Sequence, residues 1–253
     1  MNTLFASALA FSLLATSSVA LSAEPTQADR ERWRREAEQR LHEDWAFMSR
    51  YREDNAKAVA MAARPRVVFL GDSITQGWFD MVPAFFKPGR IGRGISGQTT
   101  PQMLVRFRQD VIELKPDVVQ IMAATNDIAG NTGPMTDEAI KNNFRTMVEL
   151  AHAHGIRVIL ASIPPAADFP WKPGLNPGER VVRLNQWLKS YAAQSGSIYA
   201  DYWGVLHDGL GIKTGLASDG VHPTKEGYAV MAPVAESAIA AAMKLPRPKG
   251  LRL

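Results

Sequence analysis

The sequence contains no cysteine. This absence excludes disulfide bonds, thiolate metal sites and a cysteine nucleophile, so the fold must be stabilised by packing. Runs of like charge are also absent: 29 Lys and Arg residues and 25 Asp and Glu residues are spread along the chain, for a formal net charge of +4. A charge this small and this evenly distributed does not indicate binding to nucleic acid, and we expect none.

The length of the chain suits one globular domain, since 253 residues of which 46% are hydrophobic can bury a sizeable core. Residues 4–21 are apolar or small and carry no charge, and a polar stretch rich in Glu and Arg follows. This pattern predicts a signal peptide over residues 1–23, cleaved after Ala20 or Ala23, with a signal anchor as the alternative. We therefore expect a secreted or periplasmic protein with no stable membrane insertion once the leader is removed.

Residues 24–63 are dense in Arg, Glu and Ala. Four apolar side chains recur there at the spacing of one helical face: Trp33, Leu41, Trp45 and Met48. We interpret the segment as an N-terminal helical extension whose aromatic face packs on the main domain, residues 64–253. The alternative is a helix that binds a partner or a membrane surface.

Short apolar runs alternate with helical patterns along the rest of the chain. The runs predict buried strands near residues 66–71, 117–123, 157–163 and 197–202, with a weaker one near 90–95. The helical patterns cover about residues 101–114, 136–154, 178–194 and 224–244, the first with Thr100 as its expected N-cap. This alternation favours a central parallel sheet of about five strands between two helical layers, a three-layer α/β/α domain.

A serine that acts as a nucleophile needs a neighbouring base, and the base needs a third group to hold it in the right tautomer. Ser73 follows the first predicted strand at a strand-to-helix turn, where its hydroxyl would be exposed; capping the helix is the alternative role. Of the five histidines, only His222 lies in a tight turn beside a carboxylate. Asp219 can accept a hydrogen bond from the Nδ1 atom of His222 and leave the Nε2 atom free for a serine.

The ends of the other predicted strands supply hydrogen-bond donors. Gly97 follows the second strand and can present an unobstructed backbone N–H, and Asn126 follows the third and can present its side-chain amide. Together with the N–H of Ser73, they would form an oxyanion hole, whose donors each typically stabilise the transition state by about 2.7–4 kcal/mol. These positions agree with the usual place of ligands at the carboxyl ends of strands in α/β sheets.

The connection over residues 164–177 is long for a loop without helix or strand signals. It follows a predicted strand, so it should lie over the same edge of the sheet as the polar segments. Phe169 and Trp171 in this loop, together with Trp78, are candidates to line a substrate pocket. The alternative is a proline-stiffened loop that packs on itself.

Other patterns suggest different chemistry but lack the right context. Gly92-Arg-Gly94-Ile-Ser-Gly97 matches the G-x-G-x-x-G pattern of dinucleotide-binding loops, which directly follow the first strand, whereas this one comes second in the strand series. His152 and His154 are two residues apart on a helix and point to different sides. We interpret Asp72 and Asp127 as turn or supporting carboxylates, and we expect neither a cofactor nor a metal.

Four segments, in chain order, resemble the four blocks of the SGNH (GDSL-type) hydrolases: Gly71-Asp72-Ser73-Ile74, Gly97, Thr125-Asn126-Asp127 and Asp219-x-x-His222. The resemblance covers about residues 66–240. It implies a flavodoxin-like fold, with Ser73 as nucleophile, His222 as base and Asp219 as the residue that orients the base. It also implies that the oxyanion donors are Ser73, Gly97 and Asn126. One position departs from the family pattern, because Ala124 stands where the third block usually begins with glycine.

The same resemblance implies a serine esterase that hydrolyses short-chain, chiefly acetyl, esters, similar to bacterial secreted acylhydrolases. Small-molecule or glycan esters are the expected substrates, and acetylated carbohydrates are among them. Two alternatives stay open. One is a lipid-directed acylhydrolase, similar to lysophospholipases or platelet-activating-factor acetylhydrolases; the other is a non-catalytic module that binds a glycan or a lipid, which Ala124 motivates.

Overall fold

The computed structural model describes residues 26–61, 66–86 and 89–250, so the signal peptide expected over residues 1–23 lies outside the described residues. Contacts divide the chain into two units, Met1–Arg40 and Leu41–Leu253. The larger unit therefore begins at Leu41 and not at residue 64, because part of the expected N-terminal extension belongs to the same compact unit.

Two helices, not one, occupy the expected extension: α1 (Gln27–Glu43) and α2 (Arg52–Ala60). A turn separates them, in which the Asp44 carboxylate accepts the backbone N–H groups of Met48 at 2.7 Å and Ser49 at 2.9 Å. Aspartate can thus end a helix by offering the backbone an alternative acceptor.

In the part of this segment that belongs to the larger unit, Leu41 and Trp45 do not form the expected buried face, since they are 48% and 39% exposed. Within the larger unit, polar contacts hold the turn instead. Three of its backbone carbonyls accept hydrogen bonds from glutamine side chains, each at 2.7 Å: Trp45 from Gln102, Ala46 from Gln98 and Met48 from Gln109. A hydrophobic pattern cannot reveal contacts of this kind.

Five parallel strands form the central sheet in the order β2-β1-β3-β4-β5. Their bounds are β1 Val67–Gly71, β2 Arg90–Gly94, β3 Val118–Met122, β4 Arg157–Ala161 and β5 Ile198–Ala200. The predicted parallel α/β sheet is confirmed, and the strand order is that of flavodoxin-like folds. Every side chain of β1 and β3 is buried, as expected for strands covered by helices on both faces.

Helices cover both faces of the sheet. Their bounds are α3 Ser73–Met81, α4 Thr100–Phe107, α5 Thr125–Ala129, α6 Asp137–Ala153, α7 Gly178–Ser195, α8 Tyr202–Leu206 and α9 Lys225–Lys244, and a short hairpin pairs β6 (His207–Asp208) with β7 (Gly211–Ile212). Val68 and Leu70 of β1 pack in one hydrophobic cluster, with side chains of α4, α6 and α7, whereas Val67 and Phe69 pack in another, with side chains of α3, α8 and α9. The two clusters are the cores of the three-layer domain. None of the helices in the described residues combines the length and the apolar character needed to cross a bilayer.

Helix α4 has a different N-cap from the one expected. Thr99, not Thr100, caps the helix, because the side chains of Thr99 and Gln102 each bond the backbone of the other residue. Thr100 is thereby free to donate elsewhere, and both its N–H and its hydroxyl donate to the Asp127 carboxylate. The start of α4 is thus tied to the start of α5.

Two glycines of the G-x-G-x-x-G segment, Gly92 and Gly94, allow close helix packing. A Cβ atom at Gly94 would lie 2.2 Å from the backbone nitrogen of Gln76, and one at Gly92 would lie 3.1 Å from the ring of Phe79. Helix α3 therefore packs directly against β2 at these positions.

The backbone is strained just beyond β3. Ala124 has φ of 91° and ψ of −12°, in the left-handed region, and its side chain is fully buried. This is the position where the family pattern usually has glycine, which adopts such angles without a steric cost.

Ala124→Gly should raise the free energy of unfolding by about 0.5 kcal/mol, because relief of about 2 kcal/mol of backbone strain outweighs the lost methyl burial and the added entropy of the unfolded chain. Ala123→Gly is the matched control, since Ala123 is also buried but has no positive φ. That control should lose about 1.5 kcal/mol. Urea denaturation measures both values, and a greater loss from Ala124→Gly than from Ala123→Gly would contradict the assigned strain.

Candidate active site

The candidate site lies at the carboxyl ends of the strands. Ser73 begins α3 directly after β1, Gly97 follows β2, and Asn126 lies in α5 after β3. These three segments are neighbours because β1 lies between β2 and β3. In open α/β sheets, ligands bind at the carboxyl ends of the strands where the strand order reverses, which is between β1 and β3 in this sheet. His222 reaches the same edge from the loop before α9.

Ser73 and His222 are in hydrogen-bond contact, with 2.9 Å between Ser73 Oγ and His222 Nε2. The other ring nitrogen, Nδ1, lies 2.7 Å from Asp219 Oδ2. An ionised carboxylate can only accept, so Nδ1 carries the proton and Nε2 is the acceptor for the serine hydroxyl. The structure thus joins the three side chains singled out in the sequence into one hydrogen-bonded chain.

The turn that contains Asp219 holds His222 by its backbone as well. Asp219 Oδ1 accepts the N–H groups of His222 at 2.8 Å and Val221 at 3.0 Å, and Gly220 turns the chain with φ of 83°. Burial raises the pKa of the Asp219 carboxyl, but hydrogen bonds from His222 and Val221 outweigh it and the pKa lies below its usual value. Asp219 is therefore ionised at neutral pH.

Hydrogen-bond donors lie beside the serine. Asn126 Nδ2 donates to the Gln98 carbonyl at 3.1 Å and to Asp72 Oδ2 at 3.4 Å, so its amide lies between the residue before Ser73 and the residue after Gly97. Gly97 adopts φ of 78°. Within the described part of the chain, the backbone N–H groups of Ser73 and Gly97 have no protein acceptor. Donors of this kind suit a developing oxyanion.

A buried arginine supports this arrangement from α4. The Arg106 side chain is fully buried, and it donates from Nη2 to the Gly71 carbonyl at 3.0 Å, from Nε to Gln98 Oε1 at 2.6 Å and from Nη1 to Asp110 at 3.0 Å. It thus joins the end of β1 to the loop that carries Gly97. Arg106 was not among the residues predicted from the sequence; its spacing of four from Asp110, within a helical pattern, was the available signal.

Two further carboxylates are buried near the site. Asp72 caps α3 by accepting the N–H of Ile74 at 3.0 Å, and Asp127 accepts the N–H of Thr100 at 3.0 Å. Burial raises the pKa of each carboxyl group to about 6.

Among the described residues, no three His, Asp or Glu side chains are grouped so that they could hold a metal ion.

Trp78 does not line the site, contrary to the sequence prediction. Its side chain is fully buried and stacks with Phe85 at 4.6 Å and with Tyr228 at 5.5 Å between ring centroids. The reason is helical periodicity: Trp78 lies four residues after the buried Ile74 and shares its face of α3. Trp78 is a core residue.

The loop over residues 164–177 reaches the site, and its two aromatic residues differ in position. Trp171 is 39% exposed, and its ring centroid lies 6.0 Å from that of His222. Phe169 is buried and stacks against Trp171 at 5.0 Å. Phe169 also lines a cavity of about 370 Å³ beside Asp219. Trp171 is therefore placed to meet a molecule bound at His222, and Phe169 supports it.

Known proteins resemble this chain in sequence and in structure. The sequence profile of the GDSL-like lipase/acylhydrolase family matches residues 69–230. A candidate acylhydrolase from Bacteroides fragilis is 44% identical, with a TM-score of 0.75 over 79% of this chain and 99% of that chain. A GDSL-like lipase from Bacteroides thetaiotaomicron is 41% identical, with a TM-score of 0.74 over 79% of this chain and 100% of that chain.

A third similarity is more local. The uncharacterized lipoprotein YqeF from Bacillus subtilis is 35% identical over 81 residues. The match covers 31% of this chain and 33% of the lipoprotein, so it spans about a third of that curated relative.

The raised pKa of Asp72 predicts a pH-dependent stability. A carboxyl group whose pKa is about 6 when folded and about 3.9 when unfolded binds its proton more tightly in the folded state. It therefore destabilises the fold progressively as the pH rises from about 4 to about 6. Asp72→Asn removes this titration, so the free energy of unfolding of the variant minus that of the wild type should increase by about 3 kcal/mol across that window.

Urea denaturation at a series of pH values measures this difference. Asp168→Asn is the control of opposite sign, because hydrogen bonds from the N–H groups of Gly174 and Phe169 lower the pKa of the Asp168 carboxyl. The free energy of unfolding of Asp168→Asn minus that of the wild type should decrease as the pH rises. This decrease should occur below the unfolded-state pKa of about 3.9, at lower pH than the change expected for Asp72→Asn. A level or falling difference for Asp72→Asn between about pH 4 and about pH 6 would show that Asp72 is ionised throughout.

Proposed function

Because this chain belongs to the GDSL-like lipase/acylhydrolase family and is a carboxylic ester hydrolase, we propose that it cleaves esters with Ser73 as nucleophile, His222 as base and Asp219 as the residue that orients the base. The observation that carries the proposal is the hydrogen-bonded chain from Ser73 Oγ through His222, with distances of 2.9 Å and 2.7 Å. Such a chain activates a hydroxyl that is a weak nucleophile by itself.

The proposed reaction has two steps. Ser73 Oγ attacks the carbonyl carbon of the ester while its proton passes to His222 Nε2, and the carbonyl oxygen becomes an oxyanion. The bond to the alcohol oxygen then breaks, the alcohol takes the proton from His222, and the acyl group remains on Ser73. Water attacks this acyl-enzyme, gives its proton to His222, and releases the acid as Ser73 regains its proton.

The oxyanion would be received by the backbone N–H groups of Ser73 and Gly97 and by the side-chain amide of Asn126. The longer of the two hydrogen bonds from Asn126 Nδ2, at 3.4 Å to Asp72, is the one that an oxyanion would replace. The shorter, at 3.1 Å to the Gln98 carbonyl, would keep the amide in place. Donors that are fixed before the reaction need little reorganisation when charge develops.

For the substrate, we propose esters with short acyl groups, acetyl above all, and an alcohol portion that can be a carbohydrate. The exposed ring of Trp171 beside His222 offers an aromatic face against which the alcohol portion can pack. A lipid-directed acylhydrolase would instead bury a long acyl chain, with a gain of about 0.8 kcal/mol for each CH₂ group. The two alternatives therefore differ in their dependence on acyl length.

We also propose that the protein is exported. The uncharged apolar run of residues 4–21 and the similarity to a bacterial lipoprotein support this location. Acetylated glycans outside the cytoplasm would then be accessible substrates.

Ser73→Ala should lower kcat/KM for p-nitrophenyl acetate by about 10⁴-fold or more, because the nucleophile is lost. Ser195→Ala is the matched control. Ser195 is the last residue of α7 and its hydroxyl donates a hydrogen bond to the Ser197 hydroxyl, so this variant should keep wild-type activity. Release of p-nitrophenol measures both. Full turnover by Ser73→Ala would refute the proposed nucleophile, and a wild type without turnover on any ester would favour the binding module.

Hydrolysis of p-nitrophenyl esters from acetate to laurate should be fastest for acetate, with kcat/KM about 100-fold lower for the longest chain, as expected of a pocket that fits a short acyl group. Acetylated oligosaccharides and a lysophospholipid, tested in parallel, compare the two substrate classes. Acetate release from the oligosaccharides supports the proposal. A preference for laurate and for the lysophospholipid would indicate the lipid-directed alternative.

A further inference from the structure

Asn131, two residues after the end of α5, folds back toward Asn126. Gly130 ends α5 with φ of 71°, and the N–H of Asn131 then donates to the Asn126 carbonyl at 3.0 Å. This is the backbone pattern of a helix that closes on a left-handed glycine. It brings the side chain of Asn131 next to that of Asn126.

The two side-chain amides are hydrogen bonded to each other. Asn131 Nδ2 donates to Asn126 Oδ1 at 2.8 Å, and the same nitrogen lies 3.4 Å from the Gly97 carbonyl. At its other end, Asn126 Nδ2 donates to the Gln98 carbonyl at 3.1 Å. An amide held at both its oxygen and its nitrogen has a fixed plane. The second N–H of Asn126, whose nitrogen lies 3.4 Å from Asp72 Oδ2, is the one that an oxyanion would take.

Asn131 is itself held by the loop over residues 164–177. Trp171 Nε1 donates to Asn131 Oδ1 at 3.3 Å. An indole N–H is only a donor, so this contact turns the oxygen of the Asn131 amide toward Trp171 and its nitrogen toward Asn126. The ring of Trp171 lies 6.0 Å from that of His222, so one residue contacts both the base and the support of the oxyanion amide.

We propose that Asn131 is a positioning residue that fixes the Asn126 amide in the oxyanion hole and couples it to Trp171. The inference rests on the proposed function, in which Asn126 donates to the oxyanion. A substrate whose alcohol portion packs on Trp171 restricts the motion of the indole. Through Asn131, this also restricts the amide of Asn126, which donates a hydrogen bond to the negative charge. The effect falls on the transition state, because the charge develops there.

Asn131→Ala should lower kcat for p-nitrophenyl acetate about tenfold and change KM less than about twofold, because it loosens a donor that acts in the transition state. The Tm should stay close to that of the wild type, since Asn131 is exposed. Asn142→Ala is the matched control: Asn142 is exposed on α6 and accepts from Arg145, so both constants should be unchanged. Asn131→Asp keeps the acceptor for Trp171 and loses the donor to Asn126, so it should not restore kcat.

Double-mutant cycles separate positioning from a structural role. In the Asn126→Ala background, Asn131→Ala should lower kcat less than about twofold, because the amide that it positions is gone. Trp171→Phe keeps an aromatic ring and removes the indole N–H, so it should lower kcat about threefold in the wild type and have no further effect in the Asn131→Ala background. Trp187→Phe, on α7, is the control for this substitution.

Three results would overturn the inference: an unchanged kcat in Asn131→Ala, a rise in KM alone, or a loss of the same size in the Asn126→Ala background. The second would make Asn131 a residue that binds substrate, and the third would make its role structural. Each of these leaves the proposed function standing if Ser73→Ala is inactive. An active Ser73→Ala variant would overturn the proposed function, and the inference with it.

Discussion

Parallel pairing of β1 with both of its neighbours determines where the chemistry of this protein can occur. Gly71, the last residue of β1, is in register with Gly94 of β2 and with Met122 of β3. The loops after these three positions therefore leave the sheet side by side, although they are far apart in sequence. A slip of one strand by a single residue would turn its side chains to the opposite face, so the two buried cores on either side of the sheet also protect the geometry of the site.

A buried charge pair extends this support to the N-terminal part of the larger unit. Moving a guanidinium and a carboxylate out of water costs several kcal/mol for each ion, and the cost is offset only when both groups are fully hydrogen bonded. Arg106 and Asp110 meet this condition in part through Asn55 of α2, whose Nδ2 atom donates to Asp110 at 2.6 Å. Because Arg106 also bonds Gln98, α2 belongs to the support of the candidate site and is not an appendage.

The sequence was a good guide where one physical cause dominates. Buried strands need apolar runs, so the expected strand near residues 117–123 is observed as β3, Val118–Met122. Chemistry restricts the residue types of a nucleophile and a base, so Ser73 and His222 could be proposed together although 149 positions separate them. Periodicity places Trp78 on the same face of α3 as Ile74 but does not say whether that face meets the core or a pocket, and Trp78 was therefore misplaced. Contacts such as that of Asn131 with Trp171 depend on how two loops meet in space, which no local pattern encodes.

Two energetically unfavourable features lie at the carboxyl edge of the sheet: the strained backbone of Ala124 and the buried carboxyl group of Asp72. Such features are common at functional sites. Asp72 shows why this is tolerated: its buried carboxyl group caps α3 directly before Ser73 and accepts the spare N–H of Asn126 while no oxyanion is present. In the proposed reaction, an oxyanion that takes this N–H would leave Asp72 with one partner fewer and with a negative charge nearby, and both effects would raise the pKa of its carboxyl further above about 6. A positive charge on His222, as the proposed reaction would form in the same step, lowers the pKa of Asp72. In the proposed reaction, proton transfer to His222 would thus supply the positive charge that lets one oxyanion and one buried carboxyl group share the edge of the sheet.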